Sequence, residues 1–300
     1  MEPWILITLA AASAQAFRFM LQKQLKNMQL STAGATFARF IYSSPLVAII
    51  AICYATYSGQ GVPDVPAAFW LYVLAGGTSQ ILATMCVVAL FGHRNFAVGI
   101  TFKKTEVLLS ALFGFIILGD VFTVWAIFAM CVGLAGVLLL SDPPGGVGPW
   151  HQRIFNRATA LGLGAGVLFG ISGNGYRGAS LSLGDGDVFY RAIVTLACVT
   201  AFQTIAMALW LGWRERGQIM VVLRAWRVAG LVGLTSMIGS IFWFTAFTMQ
   251  NAAYVNAVGQ VELLFSLIIG AVVFGEKVTA REWQGLSLLT GSIVLLILTT

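Results

Sequence analysis

Two segments of the chain place a carboxylate near the start of an otherwise apolar run. "TEVLLSALFGFIILGD" covers residues 105–120 and "VELLFSLIIGAVVFGE" covers residues 261–276, so Glu106 and Glu262 stand 156 positions apart. Lys103 precedes Glu106 by three residues, about one helical turn. A basic and an acidic group in apolar surroundings can bind opposite charges on a solute, or they can neutralise each other.

The composition indicates that these charges lie inside a membrane. Of 300 residues, 59% are hydrophobic and only 9% are charged, unlike the usage of soluble domains. Apolar stretches of roughly 20 residues, each long enough to cross a bilayer, follow one another. Ten spans are predicted, at residues 4–22, 32–57, 67–91, 95–117, 122–140, 158–180, 187–212, 226–248, 252–274 and 279–298. The predicted fold is an all-α integral membrane protein, because lipid offers no partner to an open strand edge.

The two opening segments belong to a repeat that extends along the chain. A gapless alignment pairs Glu106 with Glu262, Ser110 with Ser266, Gly114 with Gly270, Asp120 with Glu276 and Thr123 with Thr279. We therefore predict two five-helix repeats, 1–141 and 158–300, joined by a cytoplasmic linker at 142–157. An odd number of spans inverts the second repeat in the membrane, and inverted repeats are the architecture of secondary transporters.

Loop charges predict the orientation. Lysine and arginine concentrate in the odd-numbered loops, whereas the even-numbered loops carry Asp64, Asp120, Asp185 and Asp187. Positive loops face the cytoplasm, so we expect a multi-pass protein of the bacterial inner membrane with both termini in the periplasm. The net charge of +6 then reflects orientation and not nucleic-acid binding.

Several weak marks together indicate a family. They are the "FGFIILGD" and "IGAVVFGEKVT" endings, an "F-x-R" near the start of spans 2 and 7, and the ten-span spacing. With these marks the chain resembles the drug/metabolite transporter superfamily, specifically its EamA-like ten-helix transporters. The resemblance implies a central cavity lined mainly by spans 1, 3, 4, 6, 8 and 9, and it implies export, but no particular substrate. The family pattern has proline early in spans 4 and 9, where this chain has Val107 and Leu263.

Spans 4 and 9 carry the charges at mid-depth. At 100 degrees per residue, Lys103, Glu106 and Ser110 form one stripe of span 4, and Lys104 is a third charge there. The alternative to a binding site is a neutralising pair without further function. Glu262 has no basic residue within a helical turn, so we expect a base on another helix, a ligand cation, or a protonated buried carboxyl.

Four arginines lie within or beside spans. Arg18 in span 1 corresponds to Arg177 in span 6, and each can bind a carboxylate bidentately or extend its guanidinium to the headgroups. Arg39 corresponds to Arg191, and both lie nearer the span ends. For this second pair an interfacial position is predicted.

Further polar and aromatic side chains are expected to line a cavity between the repeats. The predicted substrate-binding residues are Lys103, Glu106, Glu262, Gln260, Arg18, Arg177, Asn174, Tyr176, Gln15, Gln80 and Trp243. Gly162, Gly166 and Gly170, four residues apart, predict a close-packing face of span 6.

No enzyme is predicted. "GISG" at 170–173 imitates the serine motif of intramembrane proteases, but His93 and His151 both lie in loops, so Ser172 lacks an embedded base. HExxH and Walker motifs are absent from the sequence, and no cofactor or metal is expected. A scaffold acting through helix contacts would not need charges at mid-depth.

We therefore predict a secondary transporter that moves a small polar or zwitterionic metabolite, such as an amino acid, outward by alternating access. The alternative is an exporter of organic cations or drugs, with the intramembrane acids as cation or proton sites. The expected partners are the solute, the lipid bilayer and protons as coupling ion. Monomer and homodimer remain open.

Overall fold

A computed structural model describes residues 2–27, 30–61, 63–90, 102–141, 157–184, 186–263 and 280–299, and all regular structure within these ranges is helical. In chain order the helices are α1 (Pro3–Asn27), α2 (Thr32–Ser58), α3 (Ala67–Leu90), α4 (Glu106–Phe113), α5 (Val124–Ser141), α6 (Arg157–Ser182), α7 (Val188–Arg214), α8 (Gln218–Arg224), α9 (Trp226–Met249), α10 (Ala252–Gly259) and α11 (Ala280–Leu298). A π-helical turn, Gly114–Leu118, continues α4.

These helices confirm the predicted all-α membrane fold. Five of them are long and apolar enough to cross a bilayer, in α1, α2, α3, α7 and α9, and shorter apolar helices lie at Glu106–Leu118, Val124–Leu139 and Trp283–Leu298. The fourth and ninth spans are described in part, because 91–101 and 264–279 fall outside the described residues. The short helix α8 was not predicted and lies between spans 7 and 8.

The helix contacts are symmetric: exchanging the two repeats converts one contacting pair of helices into another. The third span packs along the sixth (α3 on α6), and the first packs along the eighth (α1 on α9). The fourth and ninth spans meet through α4 and α10, the fifth and tenth through α5 and α11, and the second and seventh through α2 and α7. Each pair therefore contains one helix from each repeat, so that the two repeats share one interior.

The caps of α2 and α7 fix the register of the repeat. Ser31 caps α2 and Asp187 caps α7, and each side chain accepts a hydrogen bond of 2.9 Å from the backbone N–H three residues later. These caps are 156 positions apart, as are Glu106 and Glu262, and both helices have 27 residues. This register places Arg191 opposite Ala35, so the predicted correspondence of Arg39 with Arg191 is wrong by one helical turn.

Asp187 also ties the start of α7 to the end of α2. Its carboxylate accepts hydrogen bonds from the Tyr54 hydroxyl at 3.1 Å and from the Gln60 amide. Burial acts to raise the pKa of Asp187, but the hydrogen bonds from the Tyr190 N–H, Gln60 and Tyr54 outweigh it and hold this pKa below its ordinary value. The stabilisation is therefore present above the pKa of an unfolded aspartate and is lost as the pH falls through the folded value.

We expect Asp187→Ala to lower the free energy of unfolding by about 1 kcal/mol at pH 7. The difference from wild type should shrink as the pH is lowered, because wild-type Asp187 is then protonated. Thermal unfolding of both proteins between pH 7 and pH 3 measures this. Ser31→Ala removes the equivalent cap without a titrating group, so its deficit should stay constant. A constant deficit for Asp187→Ala as well would contradict the role of the carboxylate.

Glycines allow α6 to approach two neighbours closely. A Cβ atom on Gly175 would meet the Cα of Gly76 at 2.9 Å, so the backbones of α6 and α3 touch there. A Cβ on Gly166 would meet the Lys103 carbonyl oxygen at 3.1 Å, and one on Gly170 would meet the Ser110 nitrogen at 3.2 Å. The predicted close-packing face of span 6 is thus confirmed at Gly166 and Gly170, where it faces the charged segment of span 4.

Gly175→Ala should lower the free energy of unfolding by about 1–3 kcal/mol, because the new methyl group meets backbone atoms that cannot move aside. Gly164→Ala is the matched control in the same helix, since a Cβ there meets nothing within 4 Å. Thermal unfolding in detergent compares the two variants. Equal melting temperatures for both variants and wild type would show that the contact of α3 with α6 is loose.

Candidate functional site

A cavity of about 50 Å³ lies between the two repeats. Its charged and amide side chains come from α1, α2, α3, α10 and the segment around α4, and they are Gln15, Arg39, Gln80, Lys103, Glu106 and Asn256. Ser172 and Ser240 add hydroxyl groups to the wall. The space holds roughly a few water molecules and is far below the roughly 300–1,000 Å³ of ligand pockets. In this conformation the site is therefore too small for a drug-sized ligand.

Both spans that carry the acids are interrupted just before the acid. The helix of span 4 breaks at Lys104–Thr105 and that of span 9 at Gln260. The backbone has ψ −10° at Thr105 and ψ −13° at Gln260, opened from about −42° in a regular helix. Side chains favour the break, because Thr105 donates to the Phe102 carbonyl at 2.7 Å and Gln260 donates to the Asn256 carbonyl at 3.1 Å. Broken helices at mid-membrane are typical of transporter binding sites.

Lys103 and Glu106 form an ion pair on the cavity wall. Lys103 Nζ lies 3.0 Å from Glu106 Oε1, and the two residues are 3% and 7% exposed. The Lys103 ammonium also stands 4.9 Å from the centre of the Phe169 ring, a favourable cation–π distance. The predicted pairing one turn apart is therefore present, and it faces open space rather than tight packing.

Glu262 is held by an ion pair with Lys104, which joins the ninth span to the fourth. Its second oxygen accepts a hydrogen bond from the Gln15 amide at 3.0 Å. Of the partners expected for Glu262, the structure therefore has the base on another helix. Glu262 is itself behind the cavity wall, and Gln15 lies between its carboxylate and the cavity.

Arg39 is a cavity residue that the sequence did not identify. It is 6% exposed and donates to Thr84 Oγ1 at 3.2 Å and to Ser240 Oγ at 3.4 Å. The Gln80 amide can bind Arg39 and Ser172 at the same time. Its oxygen then accepts from the two terminal nitrogens of Arg39 at 2.8 and 2.9 Å, and its nitrogen donates to Ser172 Oγ at 2.6 Å.

The predicted interfacial position of Arg39 is wrong. The residue lies eight positions after the cap of α2, or roughly 12 Å along the helix axis. Side chains of α3 and α9 then bind its guanidinium inside the bundle. The stem therefore points to the interior instead of extending to the headgroups.

Arg18 lies in a layer behind the cavity. It is 3% exposed, so it does not extend to the headgroups. It donates to Gln15 Oε1 at 3.3 Å, and its guanidinium stands 4.6 Å from the centre of the Phe19 ring. Gln15 thus connects Arg18 to Glu262, and this polar network spans both repeats.

Two other predicted residues, Arg177 and Asn174, lie away from the cavity. Arg177 donates to the Phe247 carbonyl at 3.0 Å and lies 3.7 Å from Asp120, at the opposite end of α6 from Arg157. Asn174 donates to the carbonyls of Ser110 and Gly170 at 2.9 Å each, and so joins α6 to α4.

The predicted residue Gln260 also lies away from the main cavity. It is buried against a separate cavity of about 10 Å³ between α4, α5, α10 and α11. The predicted residues that line the main cavity are Gln15, Gln80, Lys103, Glu106, Tyr176 and Trp243. Asn256 was missed, although it stands one turn before Gln260 in the sequence, and it donates to Ser110 Oγ at 2.7 Å. Ser172, which has no embedded base to make it a nucleophile, contributes its hydroxyl to the cavity wall.

One side of the cavity is aromatic. Tyr176 and Phe244 stack with their ring centres 4.2 Å apart, and Trp243 and Phe247 stack at 5.6 Å. The Tyr176 hydroxyl accepts from Gln203 at 3.2 Å, which holds the ring in place. Trp243 Nε1 is buried and has no acceptor within the described ranges. The site therefore combines a planar apolar wall with a few placed polar groups, as small-molecule sites do.

Comparisons with known proteins agree with this architecture. The model of the EamA-like transporter family matches the chain twice, over residues 2–142 and 157–298. A solved structure, described as "Crystal structure of protein", is similar with a TM-score of 0.65 and 15% sequence identity, over 98% of this chain and 99% of that chain. At this identity the likeness shows a shared fold. The comparison with curated proteins gives no match.

Proposed function

Since this chain belongs to the EamA-like transporter family, it is a multi-pass membrane transporter of small molecules, and we propose that its solute is a small polar or zwitterionic metabolite. An amino acid or a related compound is the proposed substrate, and the bacterial inner membrane is the proposed location, with both termini in the periplasm. Export is the proposed direction. The two repeats are the proposed moving halves.

The observation that carries this proposal is the ion pair of Lys103 and Glu106 on the wall of a cavity between the repeats. Burying each charge inside a membrane costs at least about 2.5 to 3.5 kcal/mol on insertion scales. Packing alone would avoid this cost with apolar residues, whereas a pathway for polar solutes needs such groups. Lys103 and Glu106 together offer both signs of charge to a solute.

Alternating access is supported by the small volume of the cavity and by the pairing of helices across the repeats. About 50 Å³ is too small for a metabolite. A solute can therefore enter only if α1 separates from α9, or if α3 separates from α6. These two pairs correspond under exchange of the repeats. Separation of one pair at a time would open the same site to opposite sides of the membrane.

Flux in proteoliposomes tests the proposal. Purified protein should accelerate the movement of labelled amino acids across the bilayer, relative to empty liposomes, and unlabelled substrate should compete. A second experiment imposes a pH gradient, because proton coupling would make the rate depend on it. Competition by quaternary ammonium compounds without competition by amino acids would replace this proposal with the cation exporter. Flux of no small solute would contradict both.

A further inference from the structure

The buried charges of the described core do not balance. Its buried cations are Arg18, Arg39, Lys103 and Lys104, and its buried anions are Glu106 and Glu262. Each lysine has its own carboxylate, at Glu106 for Lys103 and at Glu262 for Lys104. Two arginines remain, so the described interior carries a net charge of +2.

The two arginines differ in what surrounds them. Arg18 lies within electrostatic range of Glu262, which shares its charge with Lys104. Arg39 has only neutral hydrogen-bond partners, namely Thr84, Ser240 and Gln80, and no carboxylate in the described part of the chain lies within ion-pair distance of it. A buried cation without a counter-charge is costly, so an anion that binds Arg39 gains more binding free energy than it would at a cation that already has a partner.

The neighbours of Arg39 hold its guanidinium in one plane at the cavity. Thr84 and Gln80 belong to α3 and Ser240 belongs to α9, so both repeats fix the group. A planar fork of fixed orientation matches the two oxygens of a carboxylate. The hydroxyls of Thr84 and Ser240 can turn, and they can therefore give up their bonds to Arg39 when an anion arrives.

The aromatic wall lies in the same cavity as Arg39. The stacked pair of Tyr176 and Phe244 and the ring of Trp243 present flat apolar surface. A solute that places its carboxylate on Arg39 would lay an apolar, planar body against these rings. Glu106 lines the same cavity and would be the group of opposite sign for an ammonium on the same solute.

We propose that the cavity binds an organic carboxylate with a planar apolar body, and that Arg39 receives the carboxylate. The proposal rests on the transporter function proposed above, and it adds the substrate class and the residue that recognises it. An ammonium on the solute is tolerated beside Glu106 but is not required. An organic cation without a carboxylate is disfavoured, since it would raise the net charge of the described interior from +2 to +3.

Four compounds of similar shape separate the contribution of the carboxylate to binding from that of the ammonium. L-Phenylalanine carries both charges, 3-phenylpropionate carries only the carboxylate, and L-phenylalaninamide and phenethylamine carry only the ammonium. Binding to the purified wild-type protein is measured by calorimetry and by thermal shift, which rises with occupancy of the folded form. We expect 3-phenylpropionate and L-phenylalanine to bind, and the two amines to bind at least tenfold more weakly. This comparison needs no variant.

Arg39→Gln should weaken binding of 3-phenylpropionate about 10- to 100-fold, the usual effect of losing hydrogen bonds to a charged group. Arg39→Lys keeps the charge but loses the planar fork, so its binding should be intermediate. Arg191→Gln is the control for removing an arginine of the second repeat, and it should bind like wild type. It lies outside the cavity wall.

Binding of the amines in preference to the carboxylates, or of neither carboxylate, overturns the inference. Equal binding of 3-phenylpropionate by Arg39→Gln and wild type also overturns it. These results are distinct from failure of the transporter proposal. Binding that depends on Arg39 without any flux in proteoliposomes would remove transport and keep the site. Flux of an amino acid that is unchanged in Arg39→Gln would keep transport and remove the site.

Discussion

Lys104→Met lowers the free energy of unfolding by about 3–5 kcal/mol, as is usual when one partner of a buried ion pair is removed. The side chain of Lys104 is 2% exposed and that of Glu262 is 11% exposed, so Glu262 would be left as a buried anion without its main counter-charge. The pair also joins the fourth and ninth spans, one from each repeat. Its loss therefore weakens the interface at which the repeats meet.

Adding a second substitution, at Glu262, distinguishes the loss of the counter-charge from the loss of packing at Lys104. Lys104→Met combined with Glu262→Gln should recover most of the lost stability, because no unpaired charge remains and glutamine still accepts from Gln15. Unfolding in mixed detergent micelles measures the free energies. Arg191→Met is the control for removing a cation outside this pair. A single variant as stable as wild type, or a double variant no more stable than the single one, would contradict the role of the pair.

Glu106→Gln should reduce transport of the amino acid identified in the liposome screen by about 100-fold. Truncating one partner of a buried charge pair costs about 2–5 kcal/mol, and 100-fold corresponds to about 2.7 kcal/mol. The physical reason is that Glu106 both compensates Lys103 and lines the cavity that we propose for the solute. Initial flux rates per folded protein are measured together with the melting temperature.

Exchanging the two charges separates binding from neutralisation. In Lys103→Glu combined with Glu106→Lys the ion pair is kept on the same helix, so the melting temperature should return towards that of wild type. Transport should stay low, because the positions of the charges relative to Arg39 and the aromatic wall are reversed. Full recovery of both stability and transport would show that the pair only neutralises charge.

The repeat in the sequence predicts most of the fold. The alignment of Glu106 with Glu262 divides the chain into two sets of five spans, and the family match over two segments agrees with this division. The helix breaks near Thr105 and at Gln260 were not predicted, because neither span contains a proline and Val107 and Leu263 follow the breaks. Side-chain hydrogen bonds to carbonyls favour the breaks instead.

The ion pairs of the site could be predicted only where the two partners are close in sequence. Lys103 and Glu106 lie one turn apart, and periodicity alone places them on one face. Lys104 and Glu262 are 158 positions apart, so their pairing depends on how α4 meets α10. The position of Arg39 cannot be predicted from its distance to the end of its own span, because the side chains that bind it belong to α3 and α9.

The central claim is that a polar solute reaches the cavity between the repeats from both sides of the membrane. Ser172→Cys tests it in a variant whose native cysteines, Cys53, Cys86, Cys131 and Cys198, are replaced by alanine. A membrane-impermeant thiol reagent is applied to right-side-out and to inside-out vesicles. We expect labelling from both sides at Ser172→Cys and none at Thr195→Cys, which is buried in α7 outside the cavity. Absence of labelling at Ser172→Cys from either side would contradict the account.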